Sequence, residues 1–249
     1  MGQLDGKTAV VTGGSTGIGL AAAQRFADEG AHVFVTGRRK AELDAAVKTI
    51  GRRATGVQSD AADLADLDRL YQTVSGRGGG IDVLYANAGG GSLARLEEVT
   101  EEYFDKVVGV NVKGTLFTVQ KALPLLNDGA SVILASSIAG SAGMEAFGVY
   151  CASKAAVRSF ARTWANELKG RAIRVNAISP GVIDTPGVSG LGPDRQQLSP
   201  LVEALVDATP LGRMGGPEEV ADAILFLASD QSTYITGTEL FIDGGVNQI

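Results

Sequence analysis

The sequence predicts an α/β chain folded as one doubly wound sheet of about seven parallel strands with helices on both faces. Three observations lead there. Short apolar runs alternate with longer helical patterns along the whole chain, and such alternation demands parallel pairing through crossover helices. A glycine-rich loop stands between the first run and the first helical pattern. No repeat, low-complexity tract or linker divides the 249 residues, so residues 1–249 read as one domain.

The elements follow in order. Residues 8–12 form a buried strand, and 17–30 a helix with Ile18, Ala22 and Phe26 on one side. A second strand at 33–36 precedes a helix at 40–50; a third strand at 54–58 precedes a helix at 64–74. Glycine-rich residues 76–80 turn the chain into a fourth strand at 81–86. Residues 101–126 read as one helix, with Val107, Val110, Val112, Leu116 and Val119 available for burial. Strand 131–135, helix 150–168 and strand 174–177 come next. Helical patterns at 198–206 and 217–228 precede a last strand at 239–242. Residues 179–210 carry five prolines (Pro180, Pro186, Pro193, Pro200 and Pro210) and follow a strand's carboxyl end, where open α/β sheets bind ligands. Within them, 184–210 is expected to be a substrate lid, because long loops in compact domains usually serve a function.

Composition removes several function classes. Hydrophobic residues make up 45% and charged residues 20%, ordinary for a globule, while 34 glycines are about twice the usual share. Lacking a Gly-X-Y period, that excess points to backbone turning tightly and lying close to a ligand. A net charge of −6 disfavours nucleic acid and anionic membrane as partners. No apolar run approaches the ~18 residues of a spanning helix, and no signal peptide is visible. The lone Cys151 suits a reducing compartment, so a cytoplasmic location is expected. His32 is the one histidine, and no metal site is expected. Gly13-Gly14-Ser15-Thr16-Gly17 satisfies the nucleophile elbow of hydrolases, but that chemistry needs a base histidine downstream and none follows His32.

Thr12-Gly13-Gly14-Ser15-Thr16-Gly17-Ile18-Gly19 lies between the first strand and the first helix. Glycines there admit a pyrophosphate to the backbone, and the helix start offers amides and partial positive charge. The candidate cofactor residues are therefore Gly13, Ser15, Thr16, Gly17, Ile18 and Gly19. At the end of the second strand stand Thr36-Gly37-Arg38-Arg39, without the acid that binds the ribose hydroxyls of NAD. Arg38 and Arg39 suit a 2′-phosphate, so NADP(H) is favoured and NAD(H) stays open.

Tyr150 and Lys154 are four apart at the start of a helical pattern and share one face. A free phenol, with a pKa near 10, is a weak base at neutral pH; an adjacent ammonium favours the phenolate. Ser136-Ser137 closes the preceding strand, and Asn111 lies in the helix before it.

With Asn87-Ala88-Gly89, Tyr150-Cys151-Ala152-Ser153-Lys154 and Pro180-Gly181-Val182-Ile183-Asp184-Thr185, these motifs resemble the short-chain dehydrogenase/reductase family across nearly the whole chain. The resemblance implies an NAD(P)(H)-dependent oxidoreductase acting on a ketone or secondary alcohol. It makes Tyr150 the general acid, Ser137 the hydrogen-bond partner of the carbonyl, and Lys154 the ribose ligand that depresses the Tyr150 pKa. Asn111 would hold a water in a proton relay. Asp60 and Ala61 would lie near the adenine and Asn87 near its ribose, with Ala88 and Gly89 alongside. Pro180 and Gly181 would lead to Ile183 and Thr185 at the carboxamide. The closing Ile242-Asp243-Gly244-Gly245 resembles family segments at subunit interfaces, implying a homotetramer.

Three residues separate Tyr150 from Lys154, unlike the longer spacing of enoyl reductases, so C=C reduction is disfavoured. Ser137, Met144, Phe147, Val188 and Leu191 are the candidate substrate-pocket residues, and they suit an apolar ketone over a charged sugar phosphate. Two further readings stand beside this one: a dinucleotide-binding sensor or scaffold without turnover, and a lyase or epimerase on the same fold.

Overall fold

The computed structural model describes residues 2–189 and 200–248. Its seven strands are β1 (Thr8–Val11), β2 (His32–Gly37), β3 (Ala54–Gln58), β4 (Ile81–Ala86), β5 (Leu126–Ala135), β6 (Arg174–Pro180) and β7 (Glu239–Ile242). They form one parallel sheet in the order β3-β2-β1-β4-β5-β6-β7. The chain reverses its direction of winding between β1 and β4. This is the switch point at which open α/β sheets form their binding crevice.

The helices are α1 (Gly17–Asp28), α2 (Lys40–Ile50), α3 (Leu64–Arg77), α4 (Glu101–Val108), α5 (Thr115–Ala122), α6 (Gly148–Glu167), α7 (Pro186–Ser189), α8 (Pro200–Asp207) and α9 (Pro217–Ala228). One core holds Ala22, Phe26, Leu43, Val220 and Ile224, so α1, α2 and α9 cover one face. A second holds Leu67, Leu70, Val119, Val157 and Ala161, so α3, α5 and α6 cover the other. With both faces buried, β1 reads as four buried residues in succession, which is why parallel strands look like continuous apolar runs. Local chemistry starts the helices. Asp63 accepts a hydrogen bond from Ala65 N at 2.9 Å to open α3, and Thr100 accepts one from Tyr103 N at 3.1 Å to open α4.

Three expectations need correction. The helix expected over 101–126 is broken by a π-helical turn at Gly109–Gly114 and ends at Ala122; Leu126 already belongs to β5. The strand expected at 131–135 starts five residues earlier. Its register with β4 shifts between Ile81 and Val83, and Gly129 takes φ +80° there, the mark of a bulge. In the described part of 184–210, α8 falls on the helical pattern expected at 198–206, whereas α7 stands where no helix was expected.

Candidate active site

Parallel strands bring their carboxyl ends to one edge, and the predicted site segments outside the helices leave the sheet there: 12–19 after β1, 38–39 after β2, 60–61 after β3, 87–89 after β4, Ser137 to Phe147 after β5 and 181–185 after β6, while Asn111, Tyr150 and Lys154 stand on helical turns.

The loop after β1 is held by backbone and by small side chains. Gly13 and Gly17 take φ +63° and +55°, a left-handed conformation that side chains disfavour. A Cβ on Gly19 would stand 2.4 Å from the Gly13 carbonyl oxygen, and one on Gly13 would stand 2.9 Å from Ala88 Cα. Thr12 Oγ1 accepts from the amides of Asn87 and Ala88 at 3.1 and 3.2 Å, while Thr36 Oγ1 accepts from Gly13 N at 3.2 Å. Asn87 Nδ2 donates to the carbonyls of Thr12 and Gly13, both at 3.0 Å, so its amide braces the loop. Thr16, the N-cap of α1, makes no side-chain cap bond and leaves the first amides of the helix to other acceptors.

A cleft of about 320 Å³ opens on this loop, lined by Gly13, Ser15, Thr16, Arg38, Arg39, Asp60, Ala61, Ala88 and Gly89 of the predicted set. Thr36, Ser59 and Val110 also line it and were not assigned from sequence. Arg39 Nε lies 3.1 Å from Glu42 Oε1, whereas Arg38 forms no ion pair among the described residues. Ser59 Oγ is buried with no hydrogen-bond partner. A Cβ on Gly37 would stand 2.7 Å from Ser15 Oγ, so a carboxylate-bearing residue at that position requires Ser15 to move. Glycines that a Cβ would foul, open helix amides and an unpaired guanidinium fit a phosphorylated dinucleotide.

Other predicted contacts fall differently. Asp60 Oδ1 accepts from Ala62 N at 2.9 Å and closes its own turn. Ile18 packs against the core beneath α1, and Ile183 is buried in that core, leaving mainly its backbone to a ligand. Pro180 ends β6, Gly181 N donates to Ile242 O at 3.0 Å, and Thr185 comes within van der Waals range of the Gly17 position.

Beyond Gly89 the chemical groups converge. A Cβ there would stand 2.9 Å from Asn111 Oδ1 and 3.3 Å from Lys154 Nζ. Lys154 is 5% exposed, and its Nζ donates to Ala135 O at 2.8 Å and lies 5.6 Å from the centre of the Tyr150 ring. Burial lowers the Lys154 pKa to about 8. Burial also raises the Tyr150 phenol above its ordinary value, and a hydrogen bond from the Ser137 side chain pulls it partly back. The net displacement of Tyr150 is thus upward and set by burial, while the Lys154 ammonium lies over its ring and donates to a backbone carbonyl. Ser137 is fixed by accepting from Ala139 N at 3.2 Å at the start of the Ile138–Gly140 turn.

Asn111 sits in the π-turn, 1% exposed. Its Oδ1 accepts from Gly90 N, and its Nδ2 donates to Gly90 O and Ser153 Oγ, all at 2.9 Å. Both side-chain donors are therefore engaged with protein groups.

Beside Tyr150 a cavity of about 250 Å³ is lined by Ser137, Met144, Phe147 and Val188, as expected, and also by Ile138, Val182, Val202 and Leu205. Leu191 lies outside the described residues. The loops flanking the mouth are joined by Ala94 N donating to Ala146 O at 2.8 Å and by an Arg95–Glu145 ion pair at 2.9 Å. Among the described residues, no group of three His, Cys, Asp or Glu side chains could hold a metal ion, and no helix is long and apolar enough to cross a membrane.

The chain is similar to known proteins over nearly its whole length. Residues 13–247 match the family model described as enoyl-(acyl carrier protein) reductase. The chain is 40% identical to a 3-oxoacyl-[acyl-carrier-protein] reductase of Thermotoga maritima, covering 98% of this chain and 99% of the relative. It is 38% identical to an NADP-dependent (R)-specific alcohol dehydrogenase of Lentilactobacillus kefiri, covering 98% and 97%. A mutant short-chain dehydrogenase/reductase of Serratia marcescens superposes with a TM-score of 0.92 at 32% identity, over 98% of this chain and 99% of that one.

Proposed function

The chain belongs to the short-chain dehydrogenase/reductase family, and from that premise we propose that it interconverts small, uncharged, largely apolar ketones and secondary alcohols with NADP(H). One observation carries the reading: the Tyr150 phenol and the Ser137 hydroxyl share the wall of a cavity whose other polar side chain, among the described residues, is Thr185, the remainder being apolar residues and glycines. Among the described residues, an anion or a sugar phosphate finds no charged partner on such a wall.

In the reduction, Ser137 and Tyr150 hydrogen-bond the carbonyl oxygen and orient it, and Tyr150 then gives up its proton to that oxygen. The nicotinamide, when bound, supplies the hydride. The raised Tyr150 pKa keeps the phenol protonated through neutral pH, which suits the acid role and hence reduction. In alcohol oxidation the phenolate accepts the hydroxyl proton, and the Lys154 ammonium stabilises it. Asn111 holds Gly90 and α6 in register, so that Tyr150, Ser137 and the β4 loop keep their spacing.

The unpaired Arg38 guanidinium at the cleft supports NADP(H) over NAD(H), and the Lentilactobacillus kefiri relative is named NADP-dependent. The Tyr150–Lys154 spacing supports carbonyl reduction over the C=C reduction in the matched model's description. The assembly we favour is a homotetramer, from the resemblance of residues 242–245 to interface segments.

Initial rates of reduced-cofactor consumption over a panel of aryl and alkyl ketones, a 3-oxoacyl thioester, an enoyl thioester and a sugar phosphate test this. The expected result is turnover of the uncharged ketones, faster with NADPH than with NADH. Turnover confined to the sugar phosphate or to the enoyl thioester would overturn it.

A further inference from the structure

We propose that Ser153 is a positioning residue for Tyr150, linking the catalytic tyrosine to the Asn111 π-turn; the proposal rests on the reading of Tyr150 as the acid. The first turn of α6, which carries Tyr150, has little support of its own. Phe147, its N-cap, makes no side-chain cap bond, and the preceding Ala146 is left-handed at φ +60°. The lysine one turn further on is better held, because Ser136 Oγ donates to the Lys154 carbonyl at 3.0 Å.

Ser153 supplies the missing anchor. Its hydroxyl donates to the Tyr150 carbonyl at 2.7 Å and accepts from Asn111 Nδ2 at 2.9 Å, with the residue 2% exposed. Asn111 in turn holds both polar groups of Gly90, whose neighbour Gly91 would touch the Tyr150 ring at 2.5 Å if it bore a Cβ. A closed circuit results: Tyr150 backbone, Ser153 hydroxyl, Asn111 amide, Gly90 backbone, Gly91, Tyr150 ring. Both bonds pass through one oxygen, so removing it leaves a buried Asn111 N–H without an acceptor and frees the first turn of α6.

Ser153→Ala tests this, with Ser153→Thr restoring the hydroxyl. The alanine variant is expected to lose about tenfold in kcat, since small misplacement of a reacting group is costly, while KM and NADPH affinity stay within about twofold and threonine recovers most of the loss. A second readout is independent of turnover. The ultraviolet titration difference between each protein and its Tyr150→Phe counterpart isolates the Tyr150 phenol. In the alanine variant its midpoint falls by about half a unit as water reaches the loosened turn. An unshifted midpoint with unchanged kcat would overturn the proposal. So would loss of cofactor affinity in step with kcat in both variants. A shifted midpoint in a protein that reduces no ketone would uphold Ser153 and reject the functional reading.

Discussion

The glycine-loop cleft after β1 and the pocket beside β5 and β6 meet at Gly89, yet they are held in different ways. The cleft is shaped by backbone: Gly13, Gly17 and Gly19 lie where a Cβ would strain the chain or strike a neighbour, and Thr12, Thr36 and Asn87 tie the loop to adjacent strand ends. The pocket is shaped by side chains from four places in the sequence, with three hydroxyl-bearing residues on a mostly apolar wall. The first region suits an invariant ligand part, a diphosphate, and tolerates few added atoms. The second, on the proposed function, orients the reacting atoms. Binding and turnover should therefore be separable by mutation.

The sharpest break in the cleft is Gly19→Val. Its Cβ would sit 2.4 Å from a carbonyl oxygen and 2.5 Å from Asn87 Nδ2, and overpacking of this kind weakens NADPH binding on the order of 100-fold. Fluorescence titration with NADPH reads that loss. Arg38→Gln is next: losing a charge-assisted hydrogen bond raises the KM for NADPH about 30-fold and leaves that for NADH nearly unchanged. Equal changes for both would reduce Arg38 to a surface charge. On the pocket side, Gly91→Ala drives a methyl into the Tyr150 ring and lowers kcat about fivefold without altering NADPH affinity. The smallest effect is with pH. Lys154, with a pKa near 8 in the folded protein, is an ammonium below that pH and a neutral amine above it. Its charge makes the nearby phenol a stronger acid, so the rate of reduction falls about twofold to threefold from pH 7 to 8.5. A rate that rises over that range would contradict the assignment.

Much of this contrast is legible in the sequence. The glycine loop and the Tyr150–Lys154 pair are read from local pattern, because strand–turn–helix junctions fix residues relative to the sheet edge, whereas Asn87-Ala88-Gly89 and the choice of Ser137 come from the family resemblance. The bounds of β3, β4, β7, α2 and α9 match those expected, since glycine, proline or polar residues punctuate them. The π-turn at Gly109–Gly114 was not legible: one extra residue per turn leaves the apolar spacing almost unchanged over so short a run. Nor was the start of β5, because Leu123, Leu125 and Leu126 suit a helix as well as a strand. The division between Arg38 and Arg39 depends on Glu42, and the raised Tyr150 pKa depends on burial; neither is written in adjacent residues.

The most direct measurement is NADPH affinity and ketone turnover determined on one preparation each of the wild-type protein and Tyr150→Phe. The account predicts affinity within about twofold and turnover lower by about a thousandfold, the contribution of a positioned general acid. A variant that still reduces ketones at the wild-type rate, or that loses NADPH binding along with turnover, would contradict it.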